Sequence, residues 1–100
     1  MTSGGGAVAV IGAGSWGTAL AAQLGRSGMA VRLWARDPAL ARAIGGAREN
    51  ARYLPDVPLP ESVVAGADHV EALDGSGLVI LAVPSHLLRG VLQPMAAAIP

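Results

Sequence analysis

Residues 7–17 read Ala-Val-Ala-Val-Ile-Gly-Ala-Gly-Ser-Trp-Gly, and the order of features in this stretch decides the fold. A short apolar run breaks into Gly12-x-Gly14-x-x-Gly17, and a helical pattern begins at once. Val8–Ile11, β-branched and flanked by glycine-rich sequence, suits a parallel strand buried on both faces. A tight turn from such a strand into a helix N-terminus presents free backbone N–H groups and a partial positive charge. A pyrophosphate fits both, so the ligand implied is a dinucleotide. Glycines at this spacing are weak evidence alone in a chain with 14 glycines in 100 residues. Their setting carries the inference, because a strand precedes them, a helix follows, and a βαβ unit of about 30 residues encloses them. In that setting Gly12 makes the tight turn, Gly14 lets the backbone approach the pyrophosphate, and Gly17 permits close helix–strand packing.

Trp16, Leu20 and Leu24 recur every fourth position between Ser15 and Ser27, which predicts a helix burying that stripe and capped by Gly28. Trp16 has two readings, core packing within the stripe and lining of the cofactor pocket. Ser15 either starts the helix with its hydroxyl or contacts phosphate, with its N–H the safer donor. Ala30–Trp34 reads as a second parallel strand. Asp37-Pro38 caps and opens a helix over Ala39–Ile44 that Gly45-Gly46 stops. Residues 47–62, with Pro55, Pro58 and Pro60, read as an irregular connection. Val63–Ala67 is a short strand and Asp68–Leu73 a brief helix. Leu78–Val83 is a buried strand ended by Pro84, after which Ser85 caps a helix through Leu87, Leu88, Val91, Leu92 and Met95. This alternation predicts an α/β fold with a Rossmann-type, doubly wound parallel sheet in three α/β/α layers. Ligands of such sheets lie outside the carboxyl ends of the strands, here near residues 12–17, 34–37 and 84–86.

An acidic residue about 20 positions beyond the glycines holds a ribose 2′-OH in NAD sites, whereas an arginine accommodates a 2′-phosphate. Arg36 and Asp37 compete for that place. Asp37 is needed as a helix cap, worth about 1 kcal/mol, which leaves Arg36 to face the adenosine and tilts the cofactor towards NADPH without excluding NADH. His69 and His86 have no partner at ligand spacing, and the remaining acids show no paired arrangement, so no catalytic or metal-binding residue is assigned.

The bulk composition narrows the field. With 52% hydrophobic and 14% charged residues and mean hydropathy +0.48, the chain can build one core. Zero formal net charge argues against nucleic acid or an anionic membrane as partner. The longest apolar run, Leu78–Val83, falls far short of the roughly 20 residues of a membrane-spanning helix. Residues 1–6 carry no basic residue and read as a flexible leader rather than a targeting peptide. Absence of cysteine excludes thiol chemistry and fits the cytoplasm. All seven basic residues are arginine, so no reaction needing a lysine resides here.

Val-Ile-Gly-Ala-Gly-Ser-Trp-Gly-Thr-Ala-Leu-Ala at 10–21 resembles the fingerprint of the bacterial NAD(P)-dependent glycerol-3-phosphate dehydrogenases. Val31–Asp37, Asn50-x-x-Tyr53-Leu54-Pro55 with Pro58-Leu59-Pro60, and Leu81–Ser85 resemble further parts of the N-terminal domain of that family in the same order. The resemblance implies hydride transfer between NAD(P)H and dihydroxyacetone phosphate, giving glycerol 3-phosphate for phospholipid synthesis. It implies cofactor contacts from Ser15, Trp16, Arg36 and Tyr53, although an aromatic in a proline-rich loop also serves simply to pin that loop. Pro84 and Ser85 would lie near the nicotinamide. The lysines of the family and its helical substrate domain have no counterpart here. Residues 7–100 are therefore expected to be a partial cofactor domain that binds NADPH or NADH without catalysing, its small phosphorylated substrate being held elsewhere. An incomplete sheet would leave an open edge and room for a homodimer. Another NAD(P)-dependent reductase, of the hydroxyacid dehydrogenase or pyrroline-carboxylate reductase type, and a free-standing nucleotide-binding module are the alternatives.

Overall fold

The computed structural model describes residues 6–98, so all of the expected leader except Gly6 lies outside the described residues. Four parallel strands, β1 (Ala7–Ile11), β2 (Val31–Trp34), β3 (Val63–Gly66) and β4 (Ser76–Leu81), form one sheet in the order β3-β2-β1-β4. Every residue of β1 is buried, as a central strand with helices on both faces requires. Alternation along the strands divides the core in two. Val8, Val10, Val31 and Leu33 point towards helices α1 (Ser15–Arg26) and α2 (Pro38–Ala47), where Ala21, Ala22, Ala41 and Ile44 meet them. Ala9, Ile11 and Trp34 point the other way, onto α3 (His69–Leu73) and α4 (Leu88–Met95), through Ala72, Leu73, Val91 and Met95. The result is the doubly wound α/β/α sandwich expected, and the change of winding direction falls between β1 and β4.

The helix ends follow local chemistry. Gly28 takes φ +94° just after α1, its N–H bonds Gly25 O at 3.0 Å and that of Met29 bonds Leu24 O at 3.3 Å, a Schellman closure. Asp37 caps α2 by accepting from Ala39 N at 2.9 Å, and Asp68 caps α3 by accepting from Val70 N at 2.9 Å. Between α2 and β3 the chain is irregular apart from a single bridge joining Asn50 and Leu54.

Four expectations are corrected. The fully buried face of α1 is Gly17, Thr18, Ala21, Ala22 and Gly25; of the expected stripe Trp16 is exposed, Leu20 half-buried, and Leu24 packs partly buried against the core. Small residues let the helix sit so close that a Cβ on Gly25 would stand 2.6 Å from Val63 Cγ2. Second, α2 runs through Gly45 and Gly46 to Ala47 and ends at Arg48, which adopts the left-handed conformation at φ 54°. Arg48 is held there by its tertiary bonds, since Nη2 reaches Pro60 O and, at 2.8 Å, Val63 O, while its carbonyl accepts from Leu59 N at 2.8 Å. Third, β4 begins at Ser76 and stops at Leu81, two residues early, with Leu78 and Leu81 exposed. It is an outer strand, and among the described residues only its β1 side is paired. Fourth, Ser85 makes no side-chain cap; it opens a one-turn 3-10 helix, Ser85–Leu87, and α4 proper starts at Leu88.

Candidate functional site

The glycine segment leaves β1 through Gly12 at φ +122°. A Cβ there would lie 2.4 Å from Ala82 O, and one on Gly17 would lie 1.9 Å from Gly12 O. These two glycines are demanded by the protein itself: the loop is folded against β4 and α1 is pressed onto the loop. Gly14 is different. Its φ of −77° suits any residue and no atom lies within 4 Å of where its Cβ would be, so nothing within the protein needs glycine there. The open side of Gly14 is the cradle that an approaching ligand would occupy.

Gly14 also caps α1 without a side-chain bond, and the first intrahelical donor is Thr18 N, bonded to Gly14 O at 3.0 Å. The N–H groups of Ser15, Trp16 and Gly17 thus precede the helical ladder. The first turn of α1 holds no acidic residue, so the dipole at this end is uncompensated by the chain.

A cleft of about 400 Å³ opens over this helix end, lined by Gly12, Ala13 and Gly14, by Trp34 to Asp37 after β2, and by Ala82 to Pro84 after β4. Leu40, Arg52, Tyr53, Leu87 and Val91 complete it. It lies at the carboxyl ends of β1, β2 and β4, the place expected for the ligand of a doubly wound sheet. Gly12, Gly14, Arg36 and Tyr53 come together in one wall system. Gly17 lies beneath the loop as a packing residue. Trp16 is 63% exposed and is not among the residues lining the cleft, so it does not pack into the core as one of its two readings expected. Pro84 lines the cleft, whereas Ser85 and His86 are exposed and are not among its lining residues.

Asn50 is a functional candidate without an assignment from sequence. Fully buried, it donates through Nδ2 to Ala13 O at 2.8 Å and to Thr18 Oγ1 at 2.9 Å. Its Oδ1 accepts from Tyr53 N at 3.3 Å and its carbonyl accepts from Leu54 N at 2.7 Å. Ser15 Oγ donates to Tyr53 O at 2.7 Å, so this hydroxyl serves the loop and the Ser15 N–H stays free for a ligand. Together these bonds fasten the 50–54 turn to the glycine loop. Asparagine at the head of a proline-rich stretch was the available signal, but only the fold shows that its partner is the loop 37 residues earlier.

Residues 7–100 match the family model described as NAD-dependent glycerol-3-phosphate dehydrogenase N-terminus. Among curated relatives, the chain is 53% identical over 89 residues to a glycerol-3-phosphate dehydrogenase (NAD(P)+) of Halorhodospira halophila, covering 89% of the chain and 27% of the relative. It is 52% identical over 93 residues to that of Corynebacterium aurimucosum, covering 93% of the chain and 28% of the relative. The crystal structure of glycerol-3-phosphate dehydrogenase from Coxiella burnetii superposes with a TM-score of 0.92 at 37% identity, over 98% of this chain and 30% of that one. The chain thus spans under a third of the length of each of these proteins.

Proposed function

The chain belongs to the NAD-dependent glycerol-3-phosphate dehydrogenase N-terminal family, and from that premise we propose that its cleft holds NADPH or NADH for a complete enzyme that interconverts dihydroxyacetone phosphate and glycerol 3-phosphate. A nicotinamide cofactor supplies the hydride of such a reduction, and the residues of this chain bind and orient it. Gly12 and Gly17 shape the loop, and Gly14 leaves its open side to the pyrophosphate. The N–H groups of Ser15, Trp16 and Gly17 donate to its oxygens, in line with the helix dipole. Arg36, on the strand-end wall, takes the adenosine side, where a planar guanidinium both stacks on a purine and pairs with a phosphate. Tyr53 lines the cleft from the 50–54 turn, held by Ser15 and Asn50. Trp16, turned to solvent, would fold over the bound cofactor.

The cleft at the carboxyl ends of β1, β2 and β4, opening over the acid-free N-terminus of α1 with the Cβ side of Gly14 unobstructed, is the observation that carries this reading. Residues 7–100 act as the cofactor domain. Substrate recognition and proton transfer belong to other parts of a longer enzyme, consistent with a chain that has no lysine. Cysteine-free composition supports a cytoplasmic setting, and among the described residues no helix is long and apolar enough to cross a membrane. In the full-length protein, oxidation of NADPH followed at 340 nm should depend on added dihydroxyacetone phosphate. Cofactor binding without any turnover of this ketone would reject the substrate and keep the cofactor site.

A further inference from the structure

Two arginines, not one, face the cleft. Arg52 stands at the tip of the 50–54 turn, whose ends are pinned by the Asn50 bonds to Ala13, Thr18 and Leu54. Its guanidinium carbon lies 5.2 Å from the centre of the Tyr53 ring, and Nη1 lies 3.8 Å from Asp37 Oδ2. Asp37 is the carboxylate next to Arg36 at the end of β2, where an acid would select a free ribose 2′-OH. Here it is engaged twice, by Ala39 N on Oδ1 and by Arg52 on Oδ2. Both side chains of the ion pair are more than half exposed, so the pair adds little to folding. Its consequence is electrostatic: Arg52 offsets the carboxylate of Asp37 and adds a second cation, after Arg36, to the lining of the cleft.

Given the cofactor reading above, on which this rests, the geometry points to Arg52 as a second specificity-determining residue, which with Arg36 favours a cofactor bearing a 2′-phosphate and keeps Asp37 from selecting the unphosphorylated ribose. Charge-assisted bonds to phosphate are among the stronger polar contacts, whereas a free 2′-OH offers Arg52 no charge to meet. In the full-length protein, Arg52→Ala should weaken NADPH binding about tenfold while NADH changes less than about twofold, and the NADPH advantage of the wild type should shrink as salt rises. Arg52→Lys should retain an intermediate preference. Adding Asp37→Asn to Arg52→Ala should restore part of the NADPH affinity, since asparagine keeps the helix cap without the charge. Equal weakening of both cofactors, or no change in either, would overturn the role of Arg52. A wild-type protein that binds neither cofactor would instead overturn the cofactor reading itself.

Discussion

At the residue scale, the three glycines of the motif separate into two kinds, and substitution reads the difference. Gly17→Ala drives a methyl into the Gly12 carbonyl and should cost about 2–3 kcal/mol in chemical denaturation, as overpacked sites do. Gly14→Ala meets open space, so its stability cost should stay near 1 kcal/mol or less, the usual penalty for alanine at a cap position. Cofactor affinity should nonetheless fall at least about tenfold, or about 1.4 kcal/mol. Asn50→Ala removes two donors from buried acceptors and should destabilise by about 2–3 kcal/mol. A melting temperature equal to wild type for that variant would disprove the anchoring of the turn. The placing of Gly12, Gly14 and Arg36 at strand ends around one cleft was legible in the sequence because strand–turn–helix chemistry is local, whereas Tyr53, in an irregular connection, was reached only through the family resemblance. The roles of Asn50 and Thr18 were not legible, since they depend on a connection folding back across 32 to 37 residues, and that of Arg52 depends on the same turn bringing it to Asp37.

At the scale of elements, strand and helix order was readable throughout, because periodicity and capping residues act within a few positions. Boundaries went astray where tertiary contacts outweighed propensity. Gly45 and Gly46 look like a helix stop, yet α2 continues to Ala47 because Arg48 is fastened to Pro60 and Val63. No neighbour lies within 4 Å of a Cβ at either glycine, so nothing in the packing requires them. Gly45→Ala and Gly46→Ala should each stabilise the protein by about 0.5–1 kcal/mol, seen as a higher denaturation midpoint; a loss of stability would mean that α2 does not continue through them. The stripe on α1 misled for a related reason. Helix–sheet separation here is set by small residues, so Trp16 is exposed, Leu20 half-buried and Leu24 packs only from the edge of the contact that alanine and glycine make.

At the scale of the whole molecule, one of the two sheet edges is β4, whose Leu78 is 53% exposed and whose outer side has no partner among the described residues. An open apolar edge invites pairing with another chain. Residues 1–100 prepared alone should therefore self-associate with rising concentration in sedimentation velocity, and Leu78→Lys should shift them towards monomer; a monomer at all concentrations in the parent would contradict this. The same sheet brings three strand ends and two arginine-bearing segments around one helix N-terminus, an arrangement no single stretch of sequence displays. The dinucleotide cradle at that point is tested most directly by calorimetric titration of the full-length protein with NADPH, wild type beside Gly14→Ala. The expected result is saturable binding of one NADPH per chain in the wild type and at least about tenfold weaker binding in the variant, with both proteins folded. Equal affinity in the two proteins, or no binding in either, would contradict it.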